Sequence, residues 1–149
     1  MNIKEFIDRD FVTEVRKNRR SGRGGTQEFF TPYSIIKRMC DKISDDEWSD
    51  PEKTWLEPCM GDGNIVCYII WNRIQHGIDW ETALNTIGGV ELMCDNVKET
   101  KERVIDLLDK MNINYDKETA MVIMNKNFVC ADFFNWDFEN WKYIDDKKQ

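Results

Sequence analysis

Apolar positions near the start of the chain, Ile3, Phe6, Ile7, Phe11, Val12 and Val15, fall close to a 3.6-residue period and predict a short amphipathic helix over 3–15. A basic, Gly-rich stretch interrupts the pattern. It resumes after Thr31-Pro32, where Thr can cap and Pro suits a first turn, with Ile35, Ile36, Met39, Cys40 and Ile43 forming one apolar face. This second helix is expected to stop near Ser44. The polar run from Asp45 to Lys53, with Pro51 inside it, reads as a loop.

Thr54-Trp55-Leu56 then predicts a short strand, and the apolar run from Ile65 to Trp71 predicts a packed helix from Asn64 to about His76, ended by Gly77. Asp79 can cap a short helix over 80–84. Thr86-Ile87-Gly88-Gly89-Val90-Glu91-Leu92 is a second strand, whose glycines lower its propensity but permit close packing. Asp95 to Met111 reads as a helix on Val97, Val104, Ile105, Leu107 and Leu108, followed by a shorter helix over 118–124. Phe128-Val129-Cys130-Ala131 is the third strand, ended by Asp132-Phe133-Phe134.

Helices alternating with strands require crossover connections, so the expected fold is α/β, with a mostly parallel sheet of about three strands flanked by helices. In such sheets ligands bind outside the carboxyl ends of the strands. Glu57, Glu91 and Asp132 each fall at or just after the end of a predicted strand, so three acidic groups are expected in one crevice.

The length of 149 residues fits one main domain over 26–149, preceded over 1–25 by the N-terminal helix and the basic linker. A hydrophobic content of 41% argues against disorder. No apolar run approaches the roughly 18 to 20 residues of a membrane span, and the charged N-terminus lacks a secretory apolar region, which leads to the expectation of a cytoplasmic protein without membrane contact. The five cysteines are scattered without a Cys-x-x-Cys pair, and His76 is the one histidine, expected in solvent near a helix end. Ordinary reduced core thiols and no metal site are therefore expected. Cys59 lies in the glycine turn, where no neighbour supplies a base.

The net charge of −7 opposes nucleic-acid binding over the whole surface. One segment differs: Arg16, Lys17, Arg19, Arg20 and Arg23 place five cations in eight positions and lead into Gly24-Gly25. It reads either as a solvated loop or as a DNA phosphate-contacting arm.

The densest chemical signal is Leu56-Glu57-Pro58-Cys59-Met60-Gly61-Asp62-Gly63, a strand end followed by a glycine turn at a helix start. Glycines allow backbone to approach a ligand that a Cβ would block. Val66 stands where a dinucleotide-binding G-x-G-x-x-G turn has its third glycine, and Glu57 and Asp62 would repel a phosphate. A cofactor carrying an amine or a sulfonium and no phosphate suits this turn better, and S-adenosylmethionine is such a molecule.

These residues resemble the N-terminal, cofactor-binding portion of class I S-adenosylmethionine-dependent methyltransferases, specifically the N6-adenine DNA methyltransferases of restriction-modification systems and phages. Gln27-Glu28-Phe29-Phe30-Thr31-Pro32 resembles the family's F-T-P segment. Glu57-Pro58-Cys59-Met60-Gly61-Asp62-Gly63 resembles D-P-x-x-G-x-G, with Glu for the usual Asp. Val90-Glu91 and Ala131-Asp132-Phe133 resemble the acidic ends of its second and third strands.

The resemblance implies a Rossmann-like fold in which Phe30, Thr31 and Pro32 contact the methionine end of the cofactor and Gly61 and Gly63 let it lie against the backbone. Glu57, at the turn opened by Pro58, or Asp62 would hold the amino group. Glu91 would accept from the ribose hydroxyls, Asp132 from the adenine amine, with Leu92 and Phe133 on the ring faces. Each has a plainer reading: Phe30 as core, Glu91 and Asp132 as helix caps, Glu57-Pro58 as a strand-ending turn.

The family's catalytic N-P-P-[YF] motif, which grips the flipped target base, has no counterpart, since Pro32, Pro51 and Pro58 are the three prolines and none adjoins another. No catalytic residue is therefore assigned. The expectation is a chain that is truncated, or that works with a complementing catalytic polypeptide or a second copy covering the open edge of the first strand. The alternatives are an inactive cofactor-binding or protein-interaction module and a methyltransferase acting on a non-DNA substrate.

Overall fold

The computed structural model describes residues 1–9 and 28–144. The basic segment 16–23 and the second part of the first expected helix lie outside the described residues. Helix α1, Ile3–Ile7, starts at Asn2, whose side chain accepts from the Lys4 and Glu5 amides. Helix α2, Tyr33–Cys40, corrects the expectation that Thr31 caps it. Pro32 is the N-cap and offers no side-chain acceptor, while Asp8, next to α1, accepts from the Tyr33 amide at 2.8 Å. That bond lowers the Asp8 pKa and ties the two helix ends together.

The expected loop after Ser44 contains a helical turn, α3, Asp45–Ser49. Ser44 and Glu47 form a capping box, and Trp48 is buried and stacked on Trp55 at 4.5 Å. Polar composition concealed one anchoring ring. Strand β1, Trp55–Glu57, leads to α4, Asn64–Gln75, which is buried along most of its length. Asp79 caps α5, Trp80–Asn85, through the Thr82 amide, an interaction typically worth ~1 kcal/mol. Strand β2, Ile87–Glu91, α6, Cys94–Lys110, α7, Lys117–Asn127, and β3, Phe128–Cys130, complete the main layer.

The sheet has the order β1-β2-β3 with both pairs parallel, as the alternation of elements implies. Leu56 pairs with Gly88, and Gly89 with Phe128, which fixes the faces. Trp55, Ile87 and Phe128 enter the helical core together with Val66, Ile70, Val104 and Leu108. On the opposite face Gly88 lies under the Trp141 indole, 2.6 Å from where a Cβ would stand.

Trp141 belongs to a hairpin that the residue pattern did not announce: β4, Trp136–Asp137, pairs antiparallel with β5, Lys142–Tyr143. Phe138 packs between Phe133 and Trp141, and the Trp141 Nε1–H donates to the Lys126 carbonyl at 2.7 Å. The hairpin thereby covers part of the second sheet face. Among the described residues no strand pairs with the outer edge of β1, and Leu56 is 47% exposed.

The cysteines correct the expectation of uniformly reduced thiols. Cys94, the first residue of α6, and Cys130, the last of β3, form a disulfide with Cα atoms 5.1 Å apart. Parallel neighbours β2 and β3 bring together residues that are 36 apart in sequence, which a linear search for short spacings passes over. Cys40 and Cys67 are free, buried thiols whose pKa burial raises to about 11. His76 is partly buried beside Trp48 and bonds the Asn72 carbonyl through Nδ1. No helix among the described residues is long and apolar enough to cross a membrane.

Candidate functional site

The carboxyl ends of the three parallel strands open into a cleft of about 370 Å³. Its floor is the turn between β1 and α4. Gly61 has φ of +54°, and a Cβ there would stand 3.1 Å from the Phe30 ring. Phe30 is therefore packed on the turn itself. The Thr31 carbonyl accepts from Asn64 Nδ2 at 3.0 Å, which fixes the Phe30-Thr31-Pro32 segment over the same turn.

Glu91, at the end of β2, uses both oxygens to hold backbone. Oε2 accepts from the Gly61 amide at 2.9 Å and Oε1 from the Met93 amide at 2.8 Å. A carboxylate has about four acceptor positions, so each oxygen keeps capacity for a further donor. Its orientation is fixed by the backbone before any ligand arrives. Glu57 accepts from the Cys59 amide at 3.1 Å, and burial, with a smaller contribution from the Glu91 charge, raises its pKa.

The Cys59 thiol is likewise pushed up, by burial and then by the Glu57 and Glu91 charges, which is the opposite of nucleophile activation. Asp132 caps the turn after β3 by accepting from the Phe134 amide at 2.9 Å, and it lines the cleft. Across from it Glu28 accepts from Asn96 Nδ2 at 2.5 Å. No lysine, arginine or histidine is found among the described residues lining the cleft. Its walls are apolar: Leu92, Phe133, Phe29 and Phe134, all with exposed surface.

Phe30, Pro58, Gly61, Glu91, Leu92, Asp132 and Phe133 line the cleft together. Glu57 stands beside it, through Cys59 and Glu91. Thr31 and Pro32 do not line it; one carbonyl ties down the turn and the other residue begins α2.

Two residues of the turn face elsewhere. Asp62 is 5% exposed, does not line the cleft, and pairs with Arg103 at 3.2 Å and Arg9 at 3.7 Å. Gly63, with φ of +86°, is the N-cap of α4, and a Cβ there would be 2.7 Å from the Thr100 side chain. Close packing on α6 demands this glycine.

The expected binding residues left out Glu28, Phe29, Cys59, Met93, Asn96, Ala131 and Phe134, which also line the cleft. Glu28 and Phe29 were within reach, since they sit inside the segment ending in Thr31-Pro32. Asn96, on the first turn of α6, gave no signal beyond its proximity to Glu91. The chain matches no protein-family model, no curated protein and no solved structure.

Among its described residues the cleft is rich in acceptors and has flat apolar walls. It suits a ligand with hydroxyl or amine donors, a positive charge and a planar ring. It offers no paired acid and base for bond breaking among its described residues.

Proposed function

We propose that this chain binds S-adenosylmethionine in the strand-end cleft and serves as the cofactor-binding part of a DNA adenine-N6 methyltransferase whose catalytic residues come from a complementing polypeptide or a second copy. The observation that carries the reading is the convergence of Glu57 and Glu91 at the left-handed Gly61, with no basic residue among the described cleft lining. A sulfonium and an ammonium are attracted there, whereas a nucleotide phosphate is repelled.

Bound S-adenosylmethionine supplies an electrophilic methyl group for an attacking amine. The chain's own residues bind and orient. Glu91, held by two amides, accepts from the ribose hydroxyls with its remaining capacity. Glu57, beside the cleft, attracts the amino end, while Asp132 accepts from the adenine amine and Leu92 and Phe133 cover the ring. Fixing these acceptors in advance lowers the orientational cost of transfer. DNA contact is assigned to Arg16, Lys17, Arg19, Arg20 and Arg23.

One observation favours a second reading, a cofactor-binding module without transfer activity. The aromatic hairpin covers Gly88, so part of the second sheet face is taken up by the chain itself. Calorimetry separates the possibilities. S-adenosylmethionine should bind the wild type, ATP should not compete, and Glu91→Ala should weaken binding about 10- to 100-fold, as loss of hydrogen bonds to a charged acceptor does. Equal affinity for wild type and variant overturns the site. Binding without methyl transfer to plasmid DNA, alone or with candidate partner chains, selects the module.

A further inference from the structure

A second cleft, of about 800 Å³, lies along the outer side of β3 between α6 and α7 and shares no lining residue with the strand-end cleft. Val97 and Ile105 from α6, Met121 from α7 and Phe128 from β3 give it an apolar lining. Its charged residues are unusual for a chain of net charge −7. Lys98, Lys101 and Lys117 line it, against one acid, Glu102.

Three details give this cleft a chemical preference. Glu102 is taken up by Lys98 at 3.7 Å, on the exposed side of α6. Lys101 bonds a neutral partner, Asn125 Oδ1, at 3.0 Å, and burial lowers its pKa, so its charge is partly desolvated. The Trp136 Nε1–H, a donor and never an acceptor, is buried with no partner among the described residues. Beside the apolar lining, the indole donor lacks an acceptor and the partly dehydrated ammonium, bonded to a neutral oxygen, lacks a counter-charge among the described residues. Ligand sites in general combine such a lining with a few convergent polar groups.

We propose that the cleft between α6, α7 and β3 is a binding site for an anionic amphiphile, a single carboxylate or phosphate head on an apolar body. The head takes the Lys101 ammonium, with Lys117 adding charge at the rim, and the Trp136 ring lies in the lining as the reporter of occupancy. The apolar body covers Val97, Ile105, Met121 and Phe128. The site is independent of the strand-end cleft and of the reading given to it.

The test uses the full chain and proton–nitrogen correlation spectra, with the Trp136 indole signal identified by Trp136→Phe. Decanoate, decyl phosphate and decyltrimethylammonium are titrated below their micelle-forming concentrations. The two anions should shift the Trp136 indole and Lys101 amide signals saturably, and the cation should not. A response to one anion alone identifies the head group. Lys101→Met should weaken anion binding about tenfold, as loss of a charge-assisted hydrogen bond does, and Lys117→Met should weaken it less. Equal binding of the cation, unchanged affinity in both lysine variants, or no saturable shift with either anion overturns the proposal.

Discussion

Arg103 on α6 places Nη1 3.2 Å from Asp62 Oδ1 and 2.8 Å from the Asp62 carbonyl oxygen, so the acid between the two turn glycines is held from behind. The same guanidinium donates to Asn64 Oδ1 and to the Phe6 carbonyl. One buried side chain therefore joins α1, the glycine turn and α6. Asn64 in turn holds the Thr31 carbonyl, which extends the connection to the segment carrying Phe30.

Removing that guanidinium takes one of its cationic partners from the buried Asp62 carboxylate, which keeps Arg9, and a donor from the Asp62 and Phe6 carbonyls and from Asn64 Oδ1. Arg103→Met is expected to lose about 3 to 5 kcal/mol of stability, the usual consequence of breaking a buried pair from one side. Urea unfolding measures it. A loss under about 1 kcal/mol, the scale of an exposed ion pair, contradicts the assignment of Asp62 as a structural anchor.

The two turn glycines are expected to separate stability from binding. A side chain in the left-handed region costs about 1 to 2 kcal/mol in itself, and Gly63→Ala adds contact with Thr100 on a buried helix. Gly61→Ala instead meets the edge of the partly exposed Phe30 ring over the cleft. Gly63→Ala should be the less stable variant by urea unfolding, and Gly61→Ala the one that loses more affinity for S-adenosylmethionine. The reverse order contradicts the roles given to them.

Helix and strand identity was legible where one local rule dominated. Asp79 at α5 and α4 with its apolar run from Ile65 to Trp71 followed directly from capping and from the length of that run. The strand-end acids were legible because chain direction alone places Glu57, Glu91 and Asp132 on one side of a parallel sheet. What stayed hidden depends on contacts distant in sequence: Asp8 capping α2, Trp141 covering Gly88 and Arg103 turning Asp62 inward. No residue pattern within a window of ten encodes these.

The Cys94–Cys130 disulfide links the turn after Glu91 to the strand end before Asp132, and both cysteines are exposed. A crosslink closing 36 residues contributes about 3 to 4 kcal/mol by restricting the unfolded chain. Reduction with a phosphine, or Cys94→Ser with Cys130→Ser, should lower Tm by about 10 °C for a domain of this size. Scanning calorimetry checks it, and an unchanged Tm excludes a stabilising role for the bond. Affinity for S-adenosylmethionine should also fall, because the bond braces the residues beside Glu91 and Asp132.

Glu57 should trade stability for binding in a pH-dependent way. Burial raises its pKa above the ordinary 4.5, and the nearby Glu91 charge adds to this. The folded state therefore keeps a proton that the unfolded chain releases, so this group favours folding at low pH. Its contribution is fully present below the unfolded pKa and is lost as pH rises through the raised value. Glu57→Gln removes the ionisation and should be more stable than wild type at neutral pH, with the difference shrinking as pH falls through the raised value and gone below about pH 4.5. Asp8 and the capping carboxylates titrate equally in both proteins and cancel in the comparison. A cationic ligand needs the ionised form, so wild-type affinity for S-adenosylmethionine should increase with pH through the same interval while the variant stays weak and flat. Unfolding and calorimetry from about pH 4 to pH 8 measure both quantities. A variant that is less stable at neutral pH, or that binds with the wild-type pH profile, removes Glu57 from the site.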